Sequence, residues 1–272
     1  MNPIQPRRIQ KEEVFDFEFS VCTLVTNISE YREMRESFLA SGFTTEICEY
    51  IYIDNSVQNT FDAYAGLNRF LRETKGKYII LCHQDILLKQ HQVSDLRERI
   101  REVENLDSQW AIIANAGGVN LKYTAMHLIQ GSGNVLHEEY LPLQTKTVDE
   151  NFIVVKSEAN LALSADLEGF HLYGTDICLV ADILGYTAYV VDFKLIHKSD
   201  GNADKRFYQL QNKLINKYNR ALRSRFIGST ITRFYISGNK IISFLGNTGF
   251  ILFVARQYYK FFKPKKGYYS KV

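Results

Sequence analysis

What this chain lacks narrows it before any motif does. Cysteine is scarce: Cys22, Cys48, Cys82 and Cys178 lie far apart in apolar settings, with no CxxC pair and no Cys/His cluster. That spacing argues against a disulfide framework or a zinc finger, and predicts reduced, buried thiols in a cytoplasmic protein. No uninterrupted apolar run reaches the ~20 residues of a membrane-spanning helix. The longest candidate, 241–255, is broken by Gly246-Asn247-Thr248-Gly249. Residues 1–20 alternate charges with aromatics and hold no apolar signal-peptide core, so no signal peptide is expected. Both common phosphate loops are missing: no GxGxxG follows the first apolar run, and no P-loop motif occurs.

What is there fits a globular α/β protein. With 272 residues, 46% of them hydrophobic, the chain can bury one large core and carry an appendage. The net charge of +3 hides a division. Residues 201–272 hold 15 Lys or Arg against one acidic residue, Asp204, whereas the first 200 hold 18 basic against 29 acidic residues. We therefore expect a main domain over 1–200 and a basic, aromatic-rich extension over 201–272.

Along the main domain, short apolar runs alternate with helical patterns. Residues 20–26, 49–53, 78–82 and 110–114 predict strands, and 29–41, 61–73 and 94–104 predict helices. Such alternation implies βαβ units and a mainly parallel sheet flanked by helices. The Gly- and Asn-broken stretch 117–140 suits a hairpin or insertion. Another strand is expected over 148–155, a short helix over 176–184, a strand over 186–191 and a basic amphipathic helix over 203–225.

Polar residues follow three of these strands: Asn27 the first, Asp54-Asn55-Ser56 the second, and His83-Gln84-Asp85 the third. Ligands of such sheets bind outside the carboxyl ends of the strands, so these endings build one crevice. Carboxylates in place of a glycine cradle point to a diphosphate neutralised by a divalent cation. His83 and Asp85 can equally be the first solvated residues after a strand. Later, Gly169-Phe170-His171-Leu172-Tyr173-Gly174-Thr175-Asp176 leads into an apolar helix, where Asp176 serves as a cap or as a base. His197 ends a further apolar run.

In this order and spacing, residues 20–200 resemble the nucleotide-sugar glycosyltransferases of the GT-A fold, in the broad family-two-like group, closest to bacterial members linked to capsule or lipopolysaccharide synthesis. The resemblance implies nucleotide contacts at Thr26 and Asn27, base or ribose contacts at Asp54 with Asn55 and Ser56, and a Gly-x-Asn element ending at Asn68. It implies a metal motif at His83-Gln84-Asp85 completed by His197, and a catalytic base at Asp176. His171 and Tyr173 would line the sugar or acceptor pocket, with Glu150 a further acceptor contact or a solvated residue before a strand. His83 replaces the family's first aspartate, as a metal ligand or as a contact to the diphosphate. An imidazole suits Mn²⁺ better than Mg²⁺, which prefers all-oxygen shells.

The expected reaction is inverting transfer from a nucleotide sugar, UDP-linked for preference, to a hydroxyl of a glycan or lipid-linked acceptor. A nucleotidyltransferase is the rival enzyme class, although Asn27-Ile28-Ser29-Glu30 offers none of its Gly-rich, basic loop. A nucleotide-sugar-binding protein without turnover is the rival non-enzyme. In the extension, Lys and Arg interleave with Phe and Tyr, which suits a helix lying on an anionic membrane, here the inner face of the cell membrane. An ordinary amphipathic pair packing on the main domain, or on a second subunit as a homo-oligomer, is the plainer reading. Nucleic acid is not expected.

Overall fold

The computed structural model describes residues 13–199 and 204–262. The segment before residue 13, the charge change near residue 201, and Lys263, Lys265 and Lys266 lie outside them. The chain forms two compact units, Met1–Gln211 and Asn212–Val272, divided inside a helix.

The first unit begins β1 (Phe17–Val25), α1 (Ile28–Ala40), β2 (Cys48–Asp54), α2 (Ala63–Glu73), β3 (Gly76–Cys82), β4 (Ile86–Leu87), α3 (Val93–Leu106) and β5 (Trp110–Ala114). Short strands follow: β6 (Ala116–Gly118), β7 (Thr124–Met126), β8 (Leu128–Gln130), β9 (Val135–Leu136), β10 (Leu143–Thr145), β11 (Thr147–Val148) and β12 (Phe152–Lys156). Then come α4 (Tyr173–Ile183), β13 (Thr187–Val190), β14 (Ile196–His197) and α5 (Lys205–Ala221), the helix in which the units divide.

Seven strands make the central sheet in the order β10-β13-β5-β12-β3-β1-β2. β1 pairs parallel with β2 and β3, and β13 parallel with β5. β12 lies antiparallel between β3 and β5, and β10 antiparallel on the edge. Strands that run among helices on both faces are apolar throughout: all of Trp110–Ala114 is buried, as are Phe152, Ile153, Val154 and Val155. Helices pack on with one stripe each; α3 contributes Val93, Leu96, Ile100 and Val103 at helical spacing. Each such buried side chain contributes about 1.5–3 kcal/mol. The Trp110 ring stacks on Tyr78, 6.0 Å between centroids, which ties the two sides of the sheet across β12.

The second unit adds a β-hairpin to the expected helices. β15 (Arg225–Gly228) pairs antiparallel with β16 (Arg233–Ile236), placing Phe226 opposite Tyr235. The Ser229 hydroxyl accepts from the N–H groups of Ile231 (3.2 Å) and Thr232 (2.8 Å), so a hydroxyl-mediated turn replaces the helix. α6 (Lys240–Gly246) and α7 (Gly249–Phe262) follow, separated at the Gly246-Asn247-Thr248 break.

Candidate active site

Parallel pairing in register brings the carboxyl ends of β1 and β3 side by side, with Cys22 level with Leu81. The residues after both strands are then laced by Gln84. Its carbonyl accepts from the N–H groups of Thr26 (2.8 Å) and Asn27 (2.9 Å), and its amide donates to the Thr26 hydroxyl (2.9 Å) and to Glu30 (3.1 Å). Gln84 was given no role of its own in the sequence. Gln84 lies in the turn between β3 and β4, where no periodicity indicates which way its side chain faces.

A second pairing closes the site. β14 runs antiparallel to β4, with His197 opposite Ile86, and the Lys198 N–H donates to the Asp85 carbonyl (3.0 Å). His83, Asp85 and His197 thereby converge, each offering one ligand atom, with all three atoms within 4.8 Å of one another. His83 Nδ1 lies 3.4 Å from His197 Nε2 and 3.9 Å from Asp85 Oδ1, and His197 Nε2 lies 3.5 Å from that same oxygen.

The His83 tautomer follows from its other neighbours. The Glu150 backbone carbonyl can only accept, so the Tyr173 hydroxyl donates to it (3.1 Å). That hydroxyl's oxygen must then accept from His83 Nε2, 2.9 Å away. With the proton on Nε2, Nδ1 carries a lone pair directed toward His197 and Asp85. Ligating imidazoles are held in this way, with the far nitrogen donating to a fixed partner. Burial, and then the second imidazole, push the His83 pKa below its ordinary value, which keeps that lone pair available. Burial pushes the Asp85 carboxyl up, but hydrogen bonds from His197 and Ser199 and the adjacent imidazoles outweigh it and hold Asp85 ionised. Two imidazole nitrogens and an anionic oxygen this close together fit a divalent cation.

The start of α4 is built around Glu150. Leu172 takes a left-handed conformation (φ 60°, ψ 11°), which costs of order 1–3 kcal/mol for a non-glycine residue. Gly174 lets the Val148 carbonyl approach; a Cβ there would lie 2.3 Å from that oxygen. The Gly174 N–H then donates to the Glu150 carboxyl (3.3 Å). Burial pushes this carboxyl up to about 8, against that N–H and with help from Asp149. The expected strand over 148–155 is thus two strands, β11 and β12, with Asp149, Glu150 and Asn151 turning between them.

Several expected ligand contacts are instead committed to the protein. Asp176 is 0% exposed, and its two carboxylate oxygens accept from the Ser164 N–H and the Ser164 hydroxyl, both at 2.7 Å. Closed off and doubly bonded, it does not present the open carboxylate that a base requires. Asn55 is buried and spends its amide on Phe61 and Thr60. Asn68 clamps the Leu163 backbone from both sides, at 3.0 and 2.8 Å. The Asn27 side chain caps α1 through the N–H groups of Ser29 and Glu30. Asp54 remains open to solvent, one strand outward from β1, with Ser56 donating through both N–H and hydroxyl and lowering its pKa. The His171 carbonyl accepts from Tyr64 (3.1 Å), and its ring meets Phe207 edge-on. A cleft of about 230 Å³ opens among Thr26, Leu67, His83, Gln84, Phe170 and Tyr173.

No family model matches the chain. It is 32% identical over 244 residues to the protein described as ATP synthase subunits region ORF 6 of Fuscovulum blasticum, covering 88% of this chain and 98% of that one. The chain belongs to that protein's family. Among solved structures, this family member resembles S. aureus TarS 1-349 at a TM-score of 0.50 and 12% identity, over 75% of this chain and 66% of that one. That likeness establishes a shared GT-A-like α/β fold and leaves activity open. A mannosyltransferase, PcManGT from Pyrobaculum calidifontis in complex with GDP-Man and Mn²⁺, aligns at a TM-score of 0.49 and 12% identity, over 80% of this chain and 69% of that one.

Proposed function

We propose that this protein is a glycosyltransferase that moves a sugar from a nucleoside-diphosphate donor, UDP-linked for preference, to a hydroxyl of a glycan or lipid-linked acceptor, with inversion at the anomeric carbon. The observation that carries the reading is the convergence of His83, Asp85 and His197 at the carboxyl end of β3. A divalent cation bound there would stabilise negative charge on the departing diphosphate as a Lewis acid. Thr26, the backbone at Asn27, and Asp54 with Ser56 lie at neighbouring strand ends, where a nucleoside is held in such sheets. His171 and Tyr173 lie at the entry to α4 and bound the sugar or acceptor side.

The base is reassigned from Asp176 to Glu150. As the acceptor oxygen bonds to the anomeric carbon and the carbon–diphosphate bond breaks, the acceptor proton passes to the Glu150 carboxylate. Support for Glu150 comes from its carboxyl, raised to about 8, a value suited to proton transfer near neutral pH. Asp176 would order the loop at Ser164 and so set the start of α4.

The test is product formation from a panel of nucleotide sugars, with Mn²⁺ and with chelator, on the wild type and on Asp85→Ala. Turnover of at least one donor that requires Mn²⁺ and vanishes in Asp85→Ala is the expected result. Turnover indifferent to both chelator and Asp85→Ala would remove the metal site from the reading. Release of a sugar phosphate in place of a nucleoside diphosphate, or of pyrophosphate when a nucleoside triphosphate and a sugar phosphate are supplied instead, would favour nucleotidyl transfer.

A further inference from the structure

The second unit has a built interior and an uncovered face. Asn247 pins the junction of α6 and α7 to the hairpin, accepting from the Tyr235 N–H and donating to the Tyr235 carbonyl, both at 2.9 Å. Gly246 is packed on the Tyr235 ring, where a Cβ would lie 2.3 Å from the ring edge. Yet α7 buries none of its residues. Phe250, Phe253 and Phe261, spaced so as to fall on one side of the helix, are 74%, 56% and 67% exposed. Ile241 and Phe244 of α6 are exposed as well. Contiguous apolar surface of this kind on a soluble protein marks an interaction site.

Charge decides what covers it. Residues 212–272 hold 13 Lys or Arg and no acidic residue. A second copy meeting it through the same unit would set this excess against itself, whereas an anionic surface is attracted by it. Between the hairpin and α7 lies a cleft of about 640 Å³, lined by Phe226, Phe234 and Leu252 and edged by Arg233, Arg256 and Lys260. Arg256 and Lys260 are one helical turn apart, beside the aromatic stripe. The 14 residues of α7 extend only about 21 Å. Among the described residues, no helix is long and apolar enough to cross a membrane. A short helix with an aromatic face and a cationic edge lies in the plane of a lipid interface, with its apolar face at the boundary of headgroups and acyl chains.

We propose that the Asn212–Val272 unit docks on an anionic phospholipid surface, with the α7 stripe inserted and a lipid phosphate held by Arg233, Arg256 and Lys260. This goes beyond sugar transfer and does not depend on it. The test is flotation of the full chain with phosphatidylglycerol/phosphatidylcholine vesicles against phosphatidylcholine alone, without nucleotide sugar or Mn²⁺. The expected result is recovery with the anionic vesicles only, diminished by salt. Phe253→Ser/Phe261→Ser and Arg256→Gln/Lys260→Gln should each lower the vesicle partition coefficient roughly tenfold or more. These side chains are exposed, so the fold should persist, checked by unchanged circular dichroism. Equal flotation with neutral vesicles, no flotation, or binding indifferent to both double variants would overturn the proposal. So would a dimer, or binding to a single-stranded oligonucleotide, that the Phe253→Ser/Phe261→Ser variant abolishes while vesicle binding is missing.

Discussion

At the scale of single residues, the site turns on which atoms carry protons. Tyr173 fixes the His83 tautomer, so Tyr173→Phe leaves the imidazole in place but frees its proton to move to Nδ1. Mn²⁺ affinity should fall 10–100-fold, measured by titration calorimetry, as for other outer-shell partners of ligating histidines; unchanged affinity would argue against Nδ1 as the ligand atom. Glu150 has two signatures. Proton acceptance requires the ionised form, so kcat/KM should rise with pH toward a plateau above about 8, and Glu150→Gln should lose that rise together with most of the rate. The stability effect has its own sign. A carboxyl raised from 4.5 to about 8 on folding contributes stability that is complete below the lower value and is lost as pH rises through the upper one. Glu150→Gln should therefore hold a flatter Tm between pH 5 and pH 9 than the wild type. Asp176→Asn keeps an acceptor for the Ser164 N–H but exchanges the carboxylate's bond with the Ser164 hydroxyl for a neutral one in which the hydroxyl accepts, and should cost about 1 kcal/mol in denaturant unfolding. An Asp176→Asn protein of native stability that has lost turnover would return the base role to Asp176.

These residues also mark where the sequence could be deciphered and where it could not. The convergence of His83, Asp85 and His197 was legible through the order of motifs that carries the resemblance, since each residue alone reads equally well as a solvated strand end. Asn27, Asn55 and Asn68 were not, because an amide caps a helix or clamps a backbone as readily as it binds a ligand, and only the fold says which. The burial of Asp176 was hidden for a similar reason: its partner Ser164 lies twelve residues away in a loop without any pattern.

At the scale of elements, α1, α2 and α3 follow their apolar spacing, and β1, β2, β3 and β5 their apolar runs. The direction of β12 was hidden, since Phe-Ile-Val-Val-Lys looks the same in either sense. The hairpin was hidden because the expected basic helix over 203–225 runs straight into it. The start of α4 supplies the test at this scale. Gly174→Ala drives a methyl into the Val148 carbonyl, whose backbone has nowhere to retreat. A loss of about 1–3 kcal/mol is expected, along with a weakened hydrogen bond to Glu150, seen as a displaced pH–rate profile. A stable Gly174→Ala variant with an unaltered profile would separate α4 from the base.

At the scale of the whole molecule, cation binding and stability are linked. A ligand that binds only the folded state at one hundred times its Kd stabilises by about 2.7 kcal/mol. Mn²⁺ should therefore raise Tm and chelator should reverse it, whereas Asp85→Ala should show neither response. A shift that survives Asp85→Ala would place the bound ion elsewhere on the protein.

The antiparallel strand at the middle of the sheet also has a bearing on how the chain is made. β3 and β5 never touch as ladder partners; each pairs with β12, whose residues are synthesised some forty positions after β5. Until residue 156 has left the ribosome, only β2, β1 and β3 can pair, with the β3 edge bare, while β5 has no ladder partner, because β13 is made later still. Closure must await a late strand inserted between earlier ones. The metal site inherits that order, because His197 joins Asp85 only after the sheet has closed.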